Sequence, residues 1–224
     1  MKLDRIFIIN LKSRKDRKIQ IIKELHRVKA ENYEFFEAIR PTEKELQSWN
    51  TSYINPLPKW FVQSKKDPLK YRLGALGCLK SHYEIIKLCK QRGYKNVLIL
   101  EDDTQFTYKE DISLFEKLNQ FSHQIDNLDY GLLYLVGNHF QAGIRQVNQN
   151  LLQTRHTLTT GSYIISEKAM DLILNRLNGY MKEIDVFYIE QIQSTIPCFV
   201  IYPHIAGQVS SYSDIAQRQV NYNL

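Results

Sequence analysis

The stretch Asn96 to Phe106, NVLILEDDTQF, constrains this chain more than any other. Val97, Leu98, Ile99 and Leu100 form a short unbroken apolar run of the kind that fills a strand buried on both faces of an α/β sheet. Three carboxylates follow directly. In open α/β sheets ligands sit beyond the carboxyl ends of the strands, so Glu101, Asp102 and Asp103 fall where a binding cleft is expected. Adjacent like charges there repel. Either their pKa values rise or a cation neutralises them, and a hard divalent ion with oxygen ligands does so without moving protons. Residues i and i+2 of an extended chain share a side, so Glu101 and Asp103 are expected to share one ion while Asp102 faces elsewhere. A solvated acidic turn with no ligand is the other reading of the same residues. Two rival strand-plus-acid signatures fail. No Gly-rich loop ends in Gly-Lys-Ser/Thr, and Glu101 and Gln105 stand where a D-x-D-x-T phosphatase needs Asp and Thr.

At 224 residues, 43% hydrophobic and 24% charged, the chain is long enough for a full core, and one domain over residues 1–224 is expected. Its apolar runs are far shorter than the ~18 residues that span a bilayer, and MKLDRIFIINLK lacks a signal-peptide cleavage pattern, so a cytoplasmic protein is expected. Cys78, Cys89 and Cys198 leave one unpaired and have no C-x-x-C spacing, which argues against both a disulfide framework and a zinc site and leaves them as buried apolar fillers. The net charge of +6 favours anionic partners, such as a nucleotide, a phosphorylated lipid or a membrane surface. Nucleic acid is disfavoured, because zinc-finger spacing, basic-region helices and RNA-binding sheet motifs are all missing.

In chain order, Arg5–Asn10 reads as a strand, and Ser13 reads as the N-cap of a helix running to about Lys29 with Ile19, Ile22 and Leu25 on its apolar stripe and Ile21 and Val28 beside them. Lys12, Arg14, Lys15, Arg17 and Lys18 crowd the first turn of that helix, where cations oppose the macrodipole. An anion bound there would resolve the conflict, as would plain solvation of a basic face. A second strand is expected over Tyr33–Ile39 and a short helix from Pro41 to near Trp49. From Asn50 to Leu69 the chain reads as a long loop, a lid or a segment pinned to the core by Trp60 and Phe61. A helix over Leu73–Arg92 ends at Gly93, and its His82 reads first as a core histidine. A helix over Asp111–Phe121, a strand over Tyr130–Val136 and a mobile loop or hairpin over Gly137–Leu152 follow. Gly161–Ile165 is a strand, and Ser166 caps a helix that Gly179 ends. Asp185 stands alone in the apolar segment EIDVFY, where it suits either a general base or a helix N-cap. Cys198–Tyr202 is expected as the last strand, before a polar tail from Ser210 to Leu224.

The segments Phe7-Ile8-Ile9-Asn10-Leu11 with Arg14, Asp16 and Arg17, Gly77-Cys78-Leu79-Lys80-Ser81-His82, Leu98 to Asp103, Thr160 with Tyr163 to Ser166, Asp185 and Ser213-Asp214-Ile215 together resemble glycosyltransferase family 25. That group includes bacterial lipooligosaccharide galactosyltransferases and collagen galactosyltransferases. Each piece is weak alone; their order is specific. The sequence departs from the family pattern at Ala75, where Glu is usual, and at Gly161, where His is frequent.

The resemblance implies a GT-A fold: a Rossmann-like, nucleotide-sugar-binding α/β architecture with a mostly parallel central sheet flanked by helices. It also implies inverting transfer from a UDP-sugar, with a divalent ion, manganese first and magnesium second. On that footing Asn10 and Leu11 contact the uridine, and Arg14 or Arg17 the diphosphate. Gly77, Ser81, His82 and Asp102 complete the nucleotide-sugar site, and Glu101 and Asp103 hold the metal. Asp185 is the implied base, with Glu190 behind it and His204 and Asp214 as lesser candidates for metal ligands. The implied partners are a UDP-sugar donor and an oligosaccharide or lipid-linked glycan acceptor, with peripheral contact to anionic lipid on the inner face of the inner membrane. UDP-galactose is the expected donor. Another UDP-sugar (glucose or an N-acetylhexosamine), or a noncatalytic nucleotide-sugar-binding module, are the alternatives.

Overall fold

The computed structural model describes residues 2–49, 57–139, 143–177, 180 and 182–220. The chain opens with β1 (Arg5–Asn10), α1 (Lys15–Arg27) and β2 (Tyr33–Glu37), then α2 (Glu43–Trp49), α3 (Lys59–Val62) and the long α4 (Pro68–Gln91). The acidic strand β3 (Asn96–Glu101) leads through a two-residue turn into β4 (Thr104–Phe106) and the short helices α5 (Leu114–Asn119) and α6 (Ser122–Ile125). After β5 (Leu132–Tyr134) come four short strands, β6 (Asn138–His139), β7 (Ile144–Gln146), β8 (Leu151–Thr154) and β9 (Thr157–Leu158). The rest is β10 (Ser162–Ser166), α7 (Glu167–Arg176), α8 (Ile184–Phe187) continuing as a π-helix over Tyr188–Gln193, β11 (Cys198–Ile201), β12 (Ala206–Gln208), β13 (Ser211–Ser213) and β14 (Arg218–Val220).

Eight strands form one sheet in the order β2-β1-β3-β10-β5-β11-β8-β7. β1 pairs parallel with β2 and β3, and β5 with β11, while β10 and β8 run against their neighbours. Six of the eight strands therefore point one way, giving the mostly parallel α/β sheet expected from the sequence. Because successive side chains leave opposite faces of a strand, the sheet sorts its apolar residues into two cores. Phe7, Val97, Ile99, Tyr163 and Ile165 face α4, α7 and α8. Ile6, Ile8, Leu98, Leu100 and Ile164 face α1, α5 and α6. β3, buried on both faces and flanked by β1 and β10, is the centre of this arrangement.

Local chemistry accounts for several helix ends. Asp67 caps α4, accepting from the Leu69 and Lys70 amides with Pro68 at the first position, so this helix begins five residues before the expected Leu73. It closes as a Schellman turn: Gly93 has φ +69°, its amide bonds to Lys90 O, and Tyr94 N bonds to Cys89 O. Ser113 and Glu116 form a capping box that starts α5 at Leu114 instead of Asp111. Ser166 caps α7 as expected, while Gly179, expected to end it, lies outside the described residues.

Other expectations are corrected or narrowed to one of their alternatives. α1 is capped at Arg14 without a side-chain bond, because the Ser13 hydroxyl instead accepts from Arg40. Its buried stripe is Ile21, Leu25 and Val28, and Ile19 is 57% exposed. In the expected loop over Asn50–Leu69, residues 50–56 lie outside the described residues, but α3 forms within it and buries Phe61 against Tyr71 at 4.3 Å, so Phe61 is a pin. Gly137–Leu152 is the β7–β8 hairpin with β6 before it. Cys198–Ile201 is not the last strand, since the polar tail supplies β13 and β14.

Burial predicts the cost of truncation. Leu98→Ala removes a fully buried side chain at the sheet centre and should cost roughly 2–5 kcal/mol. Ile19→Ala should stay within about 0.5 kcal/mol, because its side chain faces water. Urea midpoints of the two variants test both, and equal losses would refute the assignment of faces on α1.

Candidate active site

β1 and β3 end side by side, and their carboxyl ends open into a cleft of about 470 Å³ lined by residues of α4 and of the segment Ser213–Ile215. Glu101 is the last residue of β3, and Asp102 and Asp103 form the turn after it. All three line the cleft. Asp102 does not face away from its neighbours. One guanidinium nitrogen, Arg17 Nη1 from α1, lies 2.8 Å from Asp102 and 3.2 Å from Asp103 and joins the two, because the chain turns after Glu101 and the strand alternation stops there.

Each carboxylate has its own support. Asn10 Nδ2, from the end of β1, donates to Asp102 at 2.7 Å and to Arg14 O at 3.1 Å. Gln208 Nε2 donates to Asp103 at 3.1 Å, placed there by the pairing of β12 with β4, which sets Gln208 opposite Thr104. The Thr160 hydroxyl donates to Glu101 Oε1 at 2.8 Å, and the Glu101 backbone N–H and the Thr104 hydroxyl both donate to Gly161 O. Arg17 Nη2 donates to Ser211 Oγ at 2.6 Å and to Tyr212 O at 2.9 Å, which ties α1 to the C-terminal segment.

Charge balance here is incomplete. Burial, and then the Glu101 charge, push the Asp103 carboxyl up to about 7 despite Arg17. Asp102 is also raised, by burial first. Glu101 is likewise pushed up by burial, but its His82 and Thr160 neighbours bring it below the usual range. Three carboxylates against one arginine, with a carboxyl half-protonated near neutrality, is a donor set short of positive charge. Its oxygen donors fit a hard divalent ion, and Glu101 and Asp103 are the residues that could hold one.

α4 supplies another part of the lining. Gly77 lets this helix approach the chain after β2, since a Cβ there would lie 2.5 Å from Ile39 O. Ser81 fastens the same contact, accepting from Ile39 N at 2.9 Å and donating to Gly77 O at 2.7 Å. The next residue, His82, is fully buried; its Nδ1 meets the Tyr163 hydroxyl at 2.7 Å, and its Nε2, 3.8 Å from Glu101 Oε1, has no hydrogen-bond partner. Leu11, Gly77, Ser81 and His82 all line the cleft with the three carboxylates.

The remaining candidates are placed differently. Arg14 stands at the edge, paired with Asp16 at 2.9 Å and Asp214 at 3.1 Å, so two of the five basic residues of that first turn, Arg14 and Arg17, are answered by the chain's own carboxylates. Asp185 lies outside the cleft lining; it accepts from Thr159 N at 3.1 Å and from its own Val186 N at 2.9 Å, and burial raises its carboxyl. It does not cap α8, whose N-cap is Glu183. Glu190 is exposed and bonded to Lys182 and Tyr180. His204 Nε2 faces His139 Nε2 at 2.8 Å, away from the carboxylates' bonding network. The residues that sequence reasoning missed are Gln208, Ser211 and Cys78, the last a cleft residue and not a buried filler.

The family model described as glycosyltransferase family 25 (LPS biosynthesis protein) matches residues 3–188. The chain belongs to glycosyltransferase family 25. Procollagen galactosyltransferase 2 of Homo sapiens is 29% identical over 199 residues, covering 84% of this chain and 30% of the relative. A glycosyltransferase 25 family member of Drosophila melanogaster is 36% identical over 109 residues, 47% of this chain and 17% of the relative. This family 25 chain thus spans about a third or less of the length of these relatives. Among solved structures, a glycosyltransferase involved in glycosylation of the major capsid of PBCV-1 aligns with a TM-score of 0.39 at 11% identity, covering 89% of this chain and 93% of that one. A197 from STIV aligns with a TM-score of 0.46 at 8% identity, covering 100% and 95%. Among the described residues of the family 25 chain, no helix is long and apolar enough to cross a membrane.

The raised Asp103 carboxyl predicts a pH signature. Its value is about 7 in the fold and about 3.9 in an unfolded chain, so between these the folded protein keeps a proton that the unfolded one has released. Stability from this group is complete below about pH 4 and lost as pH rises through about 7. Asp103→Asn should remove that part of the decline. Urea midpoints in metal-free buffer across this window check it, and parallel curves for the two proteins would refute it.

Proposed function

We propose that this chain transfers galactose from UDP-galactose to a hydroxyl group of a glycan acceptor, with inversion at the anomeric carbon and with a divalent ion, manganese first. The observation that carries the reading is the meeting of Glu101, Asp102 and Asp103 with Arg17 at the carboxyl ends of β1 and β3, in a chain of family 25. Galactose is favoured because the curated relatives are named as procollagen galactosyltransferases.

Glu101 and Asp103 would hold the ion, which supplies positive charge to the diphosphate of the departing UDP. Arg17 is the better candidate than Arg14 for a diphosphate contact, since Arg17 faces the cleft and Arg14 is held at its edge. Asn10 works through Asp102, fixing that carboxylate for a ribose or sugar hydroxyl. Leu11, Gly77 and Ser81 shape the wall on which the nucleotide would lie, and His82 stands beside Glu101. Asp185 is our candidate for the base that takes the acceptor's proton. Its two backbone donors fix its orientation, and a carboxyl raised by burial binds a proton more readily than a solvated one. Glu190 is the weaker candidate, because Lys182 and Tyr180 already occupy it.

A lipooligosaccharide or related surface glycan is the acceptor class we favour, on the family description as LPS biosynthesis proteins. The net charge of +6 suits peripheral attachment to anionic lipid on the cytoplasmic side.

A panel of UDP-sugars tests the reading. UDP release should be fastest from UDP-galactose, should need manganese, and should vanish in Asp103→Ala. Asp185→Asn should lower transfer roughly 10²–10⁴-fold with UDP binding intact. Retained UDP binding without turnover on any donor and acceptor would leave a binding module in place of an enzyme.

A further inference from the structure

We propose that Cys78, His82 and Glu101 form a site for a thiophilic divalent ion of the zinc type, separate in ligand chemistry from the oxygen-donor site and overlapping it through Glu101. The inference rests on these three side chains and does not depend on the transfer reaction.

Their ligand atoms, one thiol sulfur, one imidazole nitrogen and one carboxylate oxygen, all lie within 4.8 Å of one another. Bonds of about 2.0–2.3 Å to a tetrahedral zinc set neighbouring ligand atoms roughly 3.3–3.8 Å apart. His82 Nε2 and Glu101 Oε1 are already at 3.8 Å, too far to bond each other and close to the span that an ion would bridge. The donor chemistry, one soft and one intermediate ligand with one carboxylate, selects zinc over magnesium or manganese.

The decisive feature is His82. It is fully buried, yet its Nε2 has no partner, and a buried polar atom left unpaired is costly. Its other nitrogen is fixed by the Tyr163 hydroxyl at 2.7 Å, which meets the Tyr188 hydroxyl at 2.8 Å. With Nδ1–H donating to Tyr163, the ring presents the Nε2 lone pair toward Cys78 and Glu101, the orientation that a metal-bound imidazole needs. The spacing is rigid. Cys78 and His82 are four residues apart on α4 and so share a face, and Glu101 is held at the end of β3 by the Thr160 hydroxyl. All three line the cleft, which gives an ion a route in and leaves it a coordination position facing the cleft. On binding, the Cys78 thiol loses its proton to solvent and the S–metal bond replaces S–H.

The consequence is competition. A zinc-type ion held through Glu101 withdraws that carboxylate from a hard ion shared with Asp103, so micromolar zinc should antagonise manganese in this cleft.

The test is titration of the full chain with Co²⁺ alone, without nucleotide. The wild type should develop a thiolate-to-cobalt charge-transfer band in the near ultraviolet, saturating at one equivalent and erased by Zn²⁺. Cys78→Ser should abolish the band and weaken zinc binding more than tenfold, whereas Asp103→Asn should keep the band. Absence of the band in the wild type, or its survival in Cys78→Ser, would overturn the proposal. Should Cys78→Ser fail to fold, alkylation of the native protein decides the matter: Zn²⁺ must protect Cys78 from iodoacetamide, and unchanged labelling would overturn the site.

Discussion

Three consecutive carboxylates at the end of a doubly buried strand set the terms for the rest of this structure. Leaving a buried charge unpaired costs several kcal/mol, so the fold must bring partners to Glu101, Asp102 and Asp103 from wherever the chain can supply them. It does so from four directions. α1 sends Arg17, the end of β1 sends Asn10, β12 sends Gln208, and the chain before β10 sends Thr160. These contacts link residues up to 105 positions apart, which is why the site exists only once the sheet has formed. The pairing is deliberately short of neutral in its effect: one guanidinium serves two carboxylates, and Asp103 is left near 7. Three carboxylates served by one guanidinium are the ground on which we propose both an oxygen-ligated ion and the thiol-containing site beside it.

What the sequence revealed followed from short-range rules. The apolar run Val97–Leu100 requires a buried strand, and the acids after it must lie at the strand's end. The Gly93 and Ser166 caps and the burial of Phe61 likewise follow from local chemistry. Failures came where a long-range partner overrode a local preference. Ser13 is a good N-cap residue, but its hydroxyl is taken by Arg40. Strand alternation put Asp102 and Asp103 on opposite sides, but the chain turns after Glu101 and Arg17 draws them together. Ile19 fits a helical stripe by spacing, yet α1 is rotated so that Ile21 and Leu25 are inside. Asp67-Pro68 was a legible helix start, masked by the loop composition around it.

Gly161 shows how a departure from the family pattern has a structural counterpart. A Cβ at this position would stand 2.8 Å from the Gln208 side chain. The space that a larger residue would fill is used by Gln208, which reaches across Gly161 to Asp103. Nothing in the local sequence near Gln208 signals that contact, since it depends on antiparallel pairing between β12 and β4.

The C-terminal segment carries the same lesson further. By composition it is a polar tail, yet Ser213–Ile215 form a wall of the cleft. Ile215 packs on Gly74 of α4 at 3.1 Å from where a Cβ would be, Lys66 bonds the Ala216 and Gln217 carbonyls, and Asp214 pairs with Arg14. The segment is therefore clasped between α1 and the start of α4, and it holds Arg17 through Ser211 and Tyr212. The family model matches residues 3–188, which hold the carboxylates and Arg17, while this clasp and Gln208 lie after it. Of the four residues that support the carboxylate cluster, Gln208 lies after residue 188, and a second of them, Arg17, in turn donates from Nη2 to Ser211 and Tyr212 in that same stretch.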